Sequence, residues 1–174
     1  MGFFLSAVRT ISHTRKFVCF ETKLGCIPLF SYPPLSYLSS VLHCWSDSKR
    51  GDASLRAEAL FRKMKARFED GDEYLRPDHV AYSNLINAFA KGDGFVHAEK
   101  LLWEMVDDYL NGNDACKPRI RNLNTIIACW SRVSARHSPE NAERIVGRWI
   151  RVTEETKLDT YPDSYTFSLL LKCW

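Results

Sequence analysis

Four stretches of the chain repeat one pattern of large apolar residues, and this repetition limits the fold more than any other feature. In each stretch such residues stand at positions i, i+3, i+4 and i+7, the spacing of one buried face on an α-helix. The stretches are LSSVLHCW (38–45), YSNLINAF (82–89), LNTIIACW (123–130) and FSLLLKCW (167–174). The aromatic residues that close them are 44, 41 and 44 residues apart. The pattern therefore predicts a tandem array of helical units.

A second helix is predicted after each of the first three stretches. Its mark is Ala-Glu, with apolar residues three, four and seven positions after the alanine. The three sets are Ala57, Leu60, Phe61, Met64; Ala98, Leu101, Leu102, Met105; and Ala142, Ile145, Val146, Trp149. Such a helical hairpin cannot bury its apolar face alone, so successive hairpins are expected to stack into a solenoid of either hand. No strand is expected.

The connections carry signals for the ends of helices. Ser138, Pro139 and Glu140 together are typical of a helix start, with a serine cap, a proline and an acid in the first turn. The longer connections, EDGDEYLRPD, NGNDACKPR and LDTYPD, each contain a proline that ends the connection. These boundaries divide residues 35–174 into units 35–78, 79–119 and 120–163 and a partial unit 164–174. Because the last unit lacks its second helix, the chain is expected to be truncated at its C-terminus.

Residues 1–34 are interpreted separately from the repeats. The first 20 residues contain Arg9, Arg15 and Lys16 but no Asp or Glu, which suits either an organellar transit peptide or a disordered leader. No apolar run reaches the length of about 18 residues that a membrane span needs, so no membrane partner is expected. The net charge of +3 agrees with a polyanionic partner without establishing one.

No pattern in the chain points to a catalytic or metal site. None of the six cysteines forms a Cys-x-x-Cys pair, and Cys44, Cys129 and Cys173 fall at equivalent places in the repeat. They are predicted to be buried thiols of a protein in a reducing compartment. The chain is therefore expected to be no enzyme, and to have no cofactor, no metal and no small-molecule substrate.

The units resemble pentatricopeptide repeats over roughly residues 35–174. The similarity lies in YSNLINAFAK (82–91), AEKLLWEM (98–105) and the Pro-Asp pairs at 77–78 and 162–163. The units here are longer than the family's repeats. The resemblance implies a right-handed α-solenoid of helix-turn-helix repeats that binds single-stranded RNA, one base per unit. It also implies a place in RNA processing or expression in a mitochondrion or plastid.

The resemblance also implies which residues would meet the RNA. The base-reading positions correspond to Ser39, Asp78, Ser83, Arg119, Asn124, Asp163 and Ser168. The base-stacking positions correspond to Val80, Arg121 and Tyr165, with Ser36 at the same place in the first unit. By the family's pairing rules, Asn124 with Asp163 resembles a uracil reader and Ser39 with Asp78 a guanine reader. Ser83 with Arg119 matches no such pair, and Arg119 could contact phosphate instead.

Two other interpretations stay open. Asp78 and Asp163 stand where a helix N-cap belongs, and the serines and Asn124 could bond only local backbone. The array could also be a scaffold for protein–protein interaction, with an apolar groove where RNA binding would need Lys, Arg, Asn and Ser. If they read bases, Ser39, Ser83 and Asn124 should point away from the apolar stripe, since each lies one residue past a buried position.

Overall fold

The computed structural model describes residues 21–22, 25–26, 35–48, 51–91, 94–132 and 138–174. Two strands of two residues each, β1 (Glu21–Thr22) and β2 (Gly25–Cys26), pair antiparallel. The expectation of no strand is therefore wrong for residues before the repeats. Strands of two residues are too short to leave an apolar alternation in the sequence to detect.

From residue 35 onward the described chain is helical, which confirms the all-α class. The helices are α1 (Leu35–Asp47), α2 (Ala53–Glu69), α3 (His79–Ala90), α4 (Phe95–Leu110), α5 (Ile120–Arg132), α6 (Ser138–Glu155) and α7 (Ser164–Leu171). Each predicted pair of helices forms. We call α1, α3, α5 and α7 the first helices of their units, and α2, α4 and α6 the second helices.

The hairpins lie side by side, with first helix against first helix. Helix α3 packs on α1 and α5, and α5 packs on α7. Helices α1, α3 and α5 also pack on the second helices of their own units. The second helices meet through ion pairs, Lys65 with Asp108 at 2.9 Å and Arg144 with Glu99 at 2.8 Å. The first and second helices thus occupy different sides of the array.

The predicted apolar stripe is confirmed in the second and third units and fails in the fourth. Tyr82, Leu85, Ile86, Phe89, Leu123, Ile126, Ile127 and Trp130 are all buried. Phe167, Leu171 and Trp174, by contrast, are 48%, 75% and 74% exposed. Helix α7 packs on α5 and α6, and no other described element covers its far side. Trp174 lies beyond the end of α7, so it cannot extend the helical stripe.

The long connections after α2 and α4 share one local structure. Gly71 and Gly112 take φ angles of +98° and +101°, a conformation that glycine adopts without steric cost at the end of a helix. Short 3₁₀ turns follow, at Glu73–Leu75 and Asp114–Cys116. The turns bury Leu75 and Cys116. The residues that make these units long are therefore ordered connections against the core.

The cysteine prediction is confirmed for one thiol, partly confirmed for another and wrong for a third. Cys129 is buried, Cys173 is half-buried and Cys44 is exposed, and all are free thiols. Cys129 lies against the preceding unit, with Sγ 3.5 Å from the carbonyl oxygen of Ala90 on α3. Cys44 stands at the same position of α1, where no described unit precedes it.

Candidate nucleic-acid interface

The residues just before α3 and α7 act as helix caps. Asp78 Oδ1 accepts a hydrogen bond of 2.8 Å from the backbone N–H of Ala81. Asp163 Oδ1 accepts one of 2.8 Å from the N–H of Thr166, whose hydroxyl accepts from the N–H of Asp163 at 3.2 Å. The capping interpretation is thus confirmed for both aspartates, and the second is a complete capping box.

Arg119 occupies the cap position before α5 but has no acceptor in its side chain. Asn122 compensates, because its Oδ1 accepts a hydrogen bond of 3.1 Å from the backbone N–H of Arg119. A capping box has two hydrogen bonds, and α5 has only one of them. In this bond the side chain of the third helical residue accepts from the backbone N–H of the cap residue. The arginine side chain itself is exposed.

Two of the reading residues are buried, although each lies one residue past the predicted apolar stripe. Ser39 and Asn124 are each 8% exposed. Ser83 is half-buried and Ser168 is exposed. The reason is the next unit, whose first helix covers each reading residue that has a neighbour. Ser168 has no described unit after it, and its hydroxyl donates to the carbonyl oxygen of Ser164 at 2.8 Å.

The residue that covers a reading side chain is the third residue of the first helix in the next unit. Asn122, third in α5, donates from Nδ2 to Ser83 Oγ at 2.8 Å. Thr166, third in α7, donates from Oγ1 to Asn124 Oδ1 at 2.6 Å. We call Ala81, Asn122 and Thr166 the third-position residues. Sequence reasoning missed them, although the spacing of Asp163 and Thr166 is a capping-box signature that marks the last one.

Ala81 breaks this pattern between the first two units. It has no polar atom in its side chain, and Ser39 Oγ finds no hydrogen-bond partner among the described residues. The backbone carbonyl of Ser39 instead accepts from Asn84 Nδ2 at 3.0 Å. At the reading position, the first two units are therefore joined through a backbone carbonyl, whereas the later ones are joined side chain to side chain.

Asn124 and Asp163 lie together across the boundary between the third and fourth units. The pKa of Asp163 lies below its usual value, chiefly because the Thr166 backbone N–H donates to the carboxylate. The Thr166 hydroxyl and the Asn124 amide lower this pKa further. The Thr166 hydroxyl lies 2.6 Å from Asn124 Oδ1 and 2.9 Å from Asp163 Oδ1, so it bridges this predicted reading pair. No such side-chain contact is described for Ser39 with Asp78, or for Ser83 with Arg119.

The predicted stacking residues form an exposed row. Val80 is 39% exposed and Tyr165 is 57% exposed. Arg121 is also exposed, and its side chain makes no ion pair among the described residues. Each is the second residue of its first helix, so successive units present one such side chain each. The side chain of Ser36 lies outside the described residues.

A shallow cleft of about 480 Å³ runs beside this row, between the connection before α5 and the one before α7. Its walls include His79, Lys117, Arg119 and Asp159. Lys117 Nζ lies 2.6 Å from Asp159 Oδ1, and this contact raises the pKa of the lysine and lowers that of the carboxyl. The guanidinium of Arg119 is therefore the better placed cation here for a phosphate.

Acidic residues are distributed unevenly between the two sides of the array. Helices α3, α5 and α7 contain no Asp or Glu, whereas α4 and α6 contain four each. The accessible or half-buried polar side chains of α3 and α5 are mostly neutral or basic, and they include Ser83, Asn84, Asn87, Arg121, Thr125 and Arg132. Helix α1 ends in one acid, Asp47, which pairs with Lys91. The side formed by α3, α5 and α7 therefore suits a polyanion better than that of α4 and α6 does.

No group of three His, Cys, Asp or Glu side chains in the described part of the chain is arranged to hold a metal ion. None of the described helices has the length and apolarity to cross a bilayer.

Comparison with known proteins adds no family to this description. A scan of the chain against protein-family models gives no match, and a search of curated proteins finds none either.

Proposed function

We propose that residues 35–174 form a right-handed α-solenoid of pentatricopeptide-like units that binds single-stranded RNA along the starts of its first helices. Each unit would meet one nucleotide, in RNA processing or expression within a mitochondrion or plastid. The observation that carries the proposal is the absence of acidic residues from α3, α5 and α7. Carboxylates on these helices would repel phosphates, and the two at their starts, Asp78 and Asp163, are engaged as helix caps.

The exposed row supports base stacking on the same side. Bases could lie between Val80 and Arg121 and between Arg121 and Tyr165, each flanked by side chains of neighbouring units. Stacking on such side chains contributes about 1–3 kcal/mol per base and tolerates every base. It would therefore give affinity, while hydrogen bonds from the reading residues would give preference.

The bridge that Thr166 forms between Asn124 and Asp163 supports base reading in the third unit. Tyr165, at the stacking position, follows Asp163 by two residues. Asn124 accepts a hydrogen bond from Thr166, the residue after Tyr165. Because Asn124 is 8% exposed, only one edge of its amide could reach a base. By the family's pairing rules this unit would prefer uracil. Ser39 is equally buried, which weakens the proposed guanine reading of the first unit.

A binding assay with a matched pair of arginines tests the proposal. Arg121→Ala removes a cation from the row, whereas Arg151→Ala removes an exposed one from α6 on the other side. Affinity for a ten-nucleotide single-stranded RNA should fall in the first variant and stay unchanged in the second. The slope of log affinity against log salt should also become shallower by about 0.7 for Arg121→Ala alone. Equal effects of the two variants would refute the proposed surface.

The alternative function, a scaffold for other proteins, draws on one observation. Phe167, Leu171 and Trp174 expose apolar surface at the end of the array, which is more typical of a protein contact than of an RNA contact. A wild-type chain that fails to bind any single-stranded RNA at low salt would favour this alternative.

A further inference from the structure

The amide of Asn124 lies near two polar groups, the hydroxyl of Thr166 and the carboxylate of Asp163. The Thr166 hydroxyl lies 2.6 Å from Asn124 Oδ1 and 2.9 Å from Asp163 Oδ1. The Asn124 amide also helps to lower the pKa of Asp163, as an amide N–H near a carboxylate does. A hydroxyl can donate to an amide oxygen, and a carboxylate accepts from an amide N–H. Together these partners favour one of the two orientations of the amide.

The reversed orientation would be unfavourable. It would place the amide oxygen against the Asp163 carboxylate, where two acceptors face each other without a proton. The Thr166 hydroxyl would then have only the carboxylate to donate to. Asp163 Oδ1 already accepts the backbone N–H of Thr166 at 2.8 Å. The Thr166 hydroxyl accepts from the Asp163 N–H at 3.2 Å and has one proton to donate, which lies toward Asn124 Oδ1, the shorter of its two acceptor contacts. The hydroxyl therefore holds the amide oxygen in place.

The orientation of the amide matters because uracil and cytosine present reversed patterns. Uracil offers an N3–H donor beside an O4 acceptor, whereas cytosine offers an N3 acceptor beside an N4–H donor. A freely turning amide can match either base with one N–H and one C=O. An amide held in one orientation matches only one of them. Discrimination between the two pyrimidines therefore depends on what holds the amide.

We propose that Thr166 is a positioning residue that fixes the amide of Asn124 and so lets the third unit distinguish uracil from cytosine. This inference rests on the proposed function. Thr166 is fully buried and would not touch the base itself. It acts from the next unit, 42 residues along the chain. A unit would thus read a base with a side chain that its neighbour orients.

Asn122 is the third residue of α5, as Thr166 is of α7, but the side chain that it contacts is that of a serine, Ser83. The Ser83 hydroxyl donates to the carbonyl oxygen of His79 at 2.6 Å and accepts from Asn122 Nδ2 at 2.8 Å. Its single proton is therefore used, and only an acceptor lone pair remains for a base. This acceptor can take the N3–H of uracil or the N4–H of cytosine, so the second unit should not distinguish these two bases.

The test measures preference, because a purely structural role would change affinity for both RNAs alike. Wild type, Thr166→Val and Thr166→Ser are titrated with ten-nucleotide oligouridine and oligocytidine, and the ratio of the two affinities is compared. The valine variant keeps the shape and loses the hydroxyl, and the serine variant keeps the hydroxyl. We expect the ratio to fall about fivefold or more in Thr166→Val, the value of one lost base contact, and to return in Thr166→Ser.

A control separates positioning from fraying of α7. Leu171→Gly weakens the same helix at an exposed site, 75% accessible, without touching either hydrogen bond. It should leave the ratio unchanged. A ratio that is unaffected by Thr166→Val, that fails to return in Thr166→Ser, or that falls equally in Leu171→Gly would overturn this inference alone. A wild-type chain that binds neither RNA would overturn the proposed function, and this inference with it.

Discussion

Asn122 on α5 donates a hydrogen bond of 2.8 Å to the hydroxyl of Ser83 on α3, and the same amide caps its own helix. One side chain therefore serves both the start of a helix and the contact between two units. This double use explains why a polar residue is buried at the third position, where Asn122 is 4% exposed.

Asn122→Ala should lower the free energy of unfolding by about 1–3 kcal/mol. It removes the hydrogen bond to Ser83 and leaves the backbone N–H of Arg119 without its acceptor. Chemical denaturation followed by circular dichroism measures the change. Thr125→Ala, in the same helix, removes only a bond to local backbone and should cost less than half as much. Equal losses would argue against the double role of Asn122.

Ser39→Ala and Ser83→Ala should have different effects on the free energy of unfolding. Ser39 Oγ is buried and finds no partner in the described part of the chain, so Ser39→Ala should keep or raise the free energy of unfolding, by up to about 1 kcal/mol. Ser83→Ala should lower it by about 1 kcal/mol, since Asn122 Nδ2 loses its acceptor. Thermal melts of both variants decide the point, and a destabilised Ser39→Ala protein would contradict it.

The cysteines should differ strongly in reactivity. Burial is the main cause that raises the pKa of the Cys116 thiol, to about 12, and its Sγ also lies 3.0 Å from the carbonyl oxygen of Pro77. Since the thiolate is the reactive form, Cys116 should resist iodoacetamide at pH 8 in the native protein. Exposed Cys44 should be alkylated within minutes. Peptide mass spectrometry after timed quenching measures both, and rapid labelling of Cys116 would show that its connection opens readily.

Acid should weaken the contact between α2 and α4. Burial alone would raise the pKa of Glu104, but hydrogen bonds and charges from Arg62 and Lys65 outweigh it and lower that pKa. A carboxyl with a lowered folded pKa contributes stability above its unfolded pKa, near 4.3, and that contribution is lost as pH falls through the folded value.

Wild type should therefore exceed Glu104→Gln in unfolding free energy by about 1–2 kcal/mol at pH 7. The difference should shrink as the pH falls below about 4. Urea denaturation at pH 7, 5 and 3 measures it. Asp107→Asn, which removes an exposed carboxylate from the same helix, serves as the control and should have little effect at any of these pH values. A difference that stayed constant down to pH 3 would contradict the role given to Glu104.

The sequence predicted the helices well because their signals are local. Periods of apolar residues and Pro-Asp pairs lie within single units, and α3, α4, α5 and α6 bury the predicted residues. The burial of Asn124 could not be predicted in this way. It depends on Thr166, a residue 42 positions later, and becomes visible only when two helices are placed side by side.

The same limit explains the other errors. Cys44 and Cys129 occupy equivalent places, yet one is exposed and the other buried, because only Cys129 has a described unit on its preceding side. Leu171 belongs to the predicted apolar stripe but is 75% exposed, since no described element covers that side of α7. A residue's position within its unit was predictable, whereas its surroundings depend on which units flank it.

The central claim is that single-stranded RNA lies along the starts of the first helices, and mapping of backbone amide shifts by NMR tests it most directly. On titration with a ten-nucleotide single-stranded RNA, the account predicts shifts at the second helical positions Val80, Arg121 and Tyr165. It predicts none at Lys100 and Arg151, exposed cations on α4 and α6. Shifts centred on α4 and α6, or no shifts at low salt, would contradict the account.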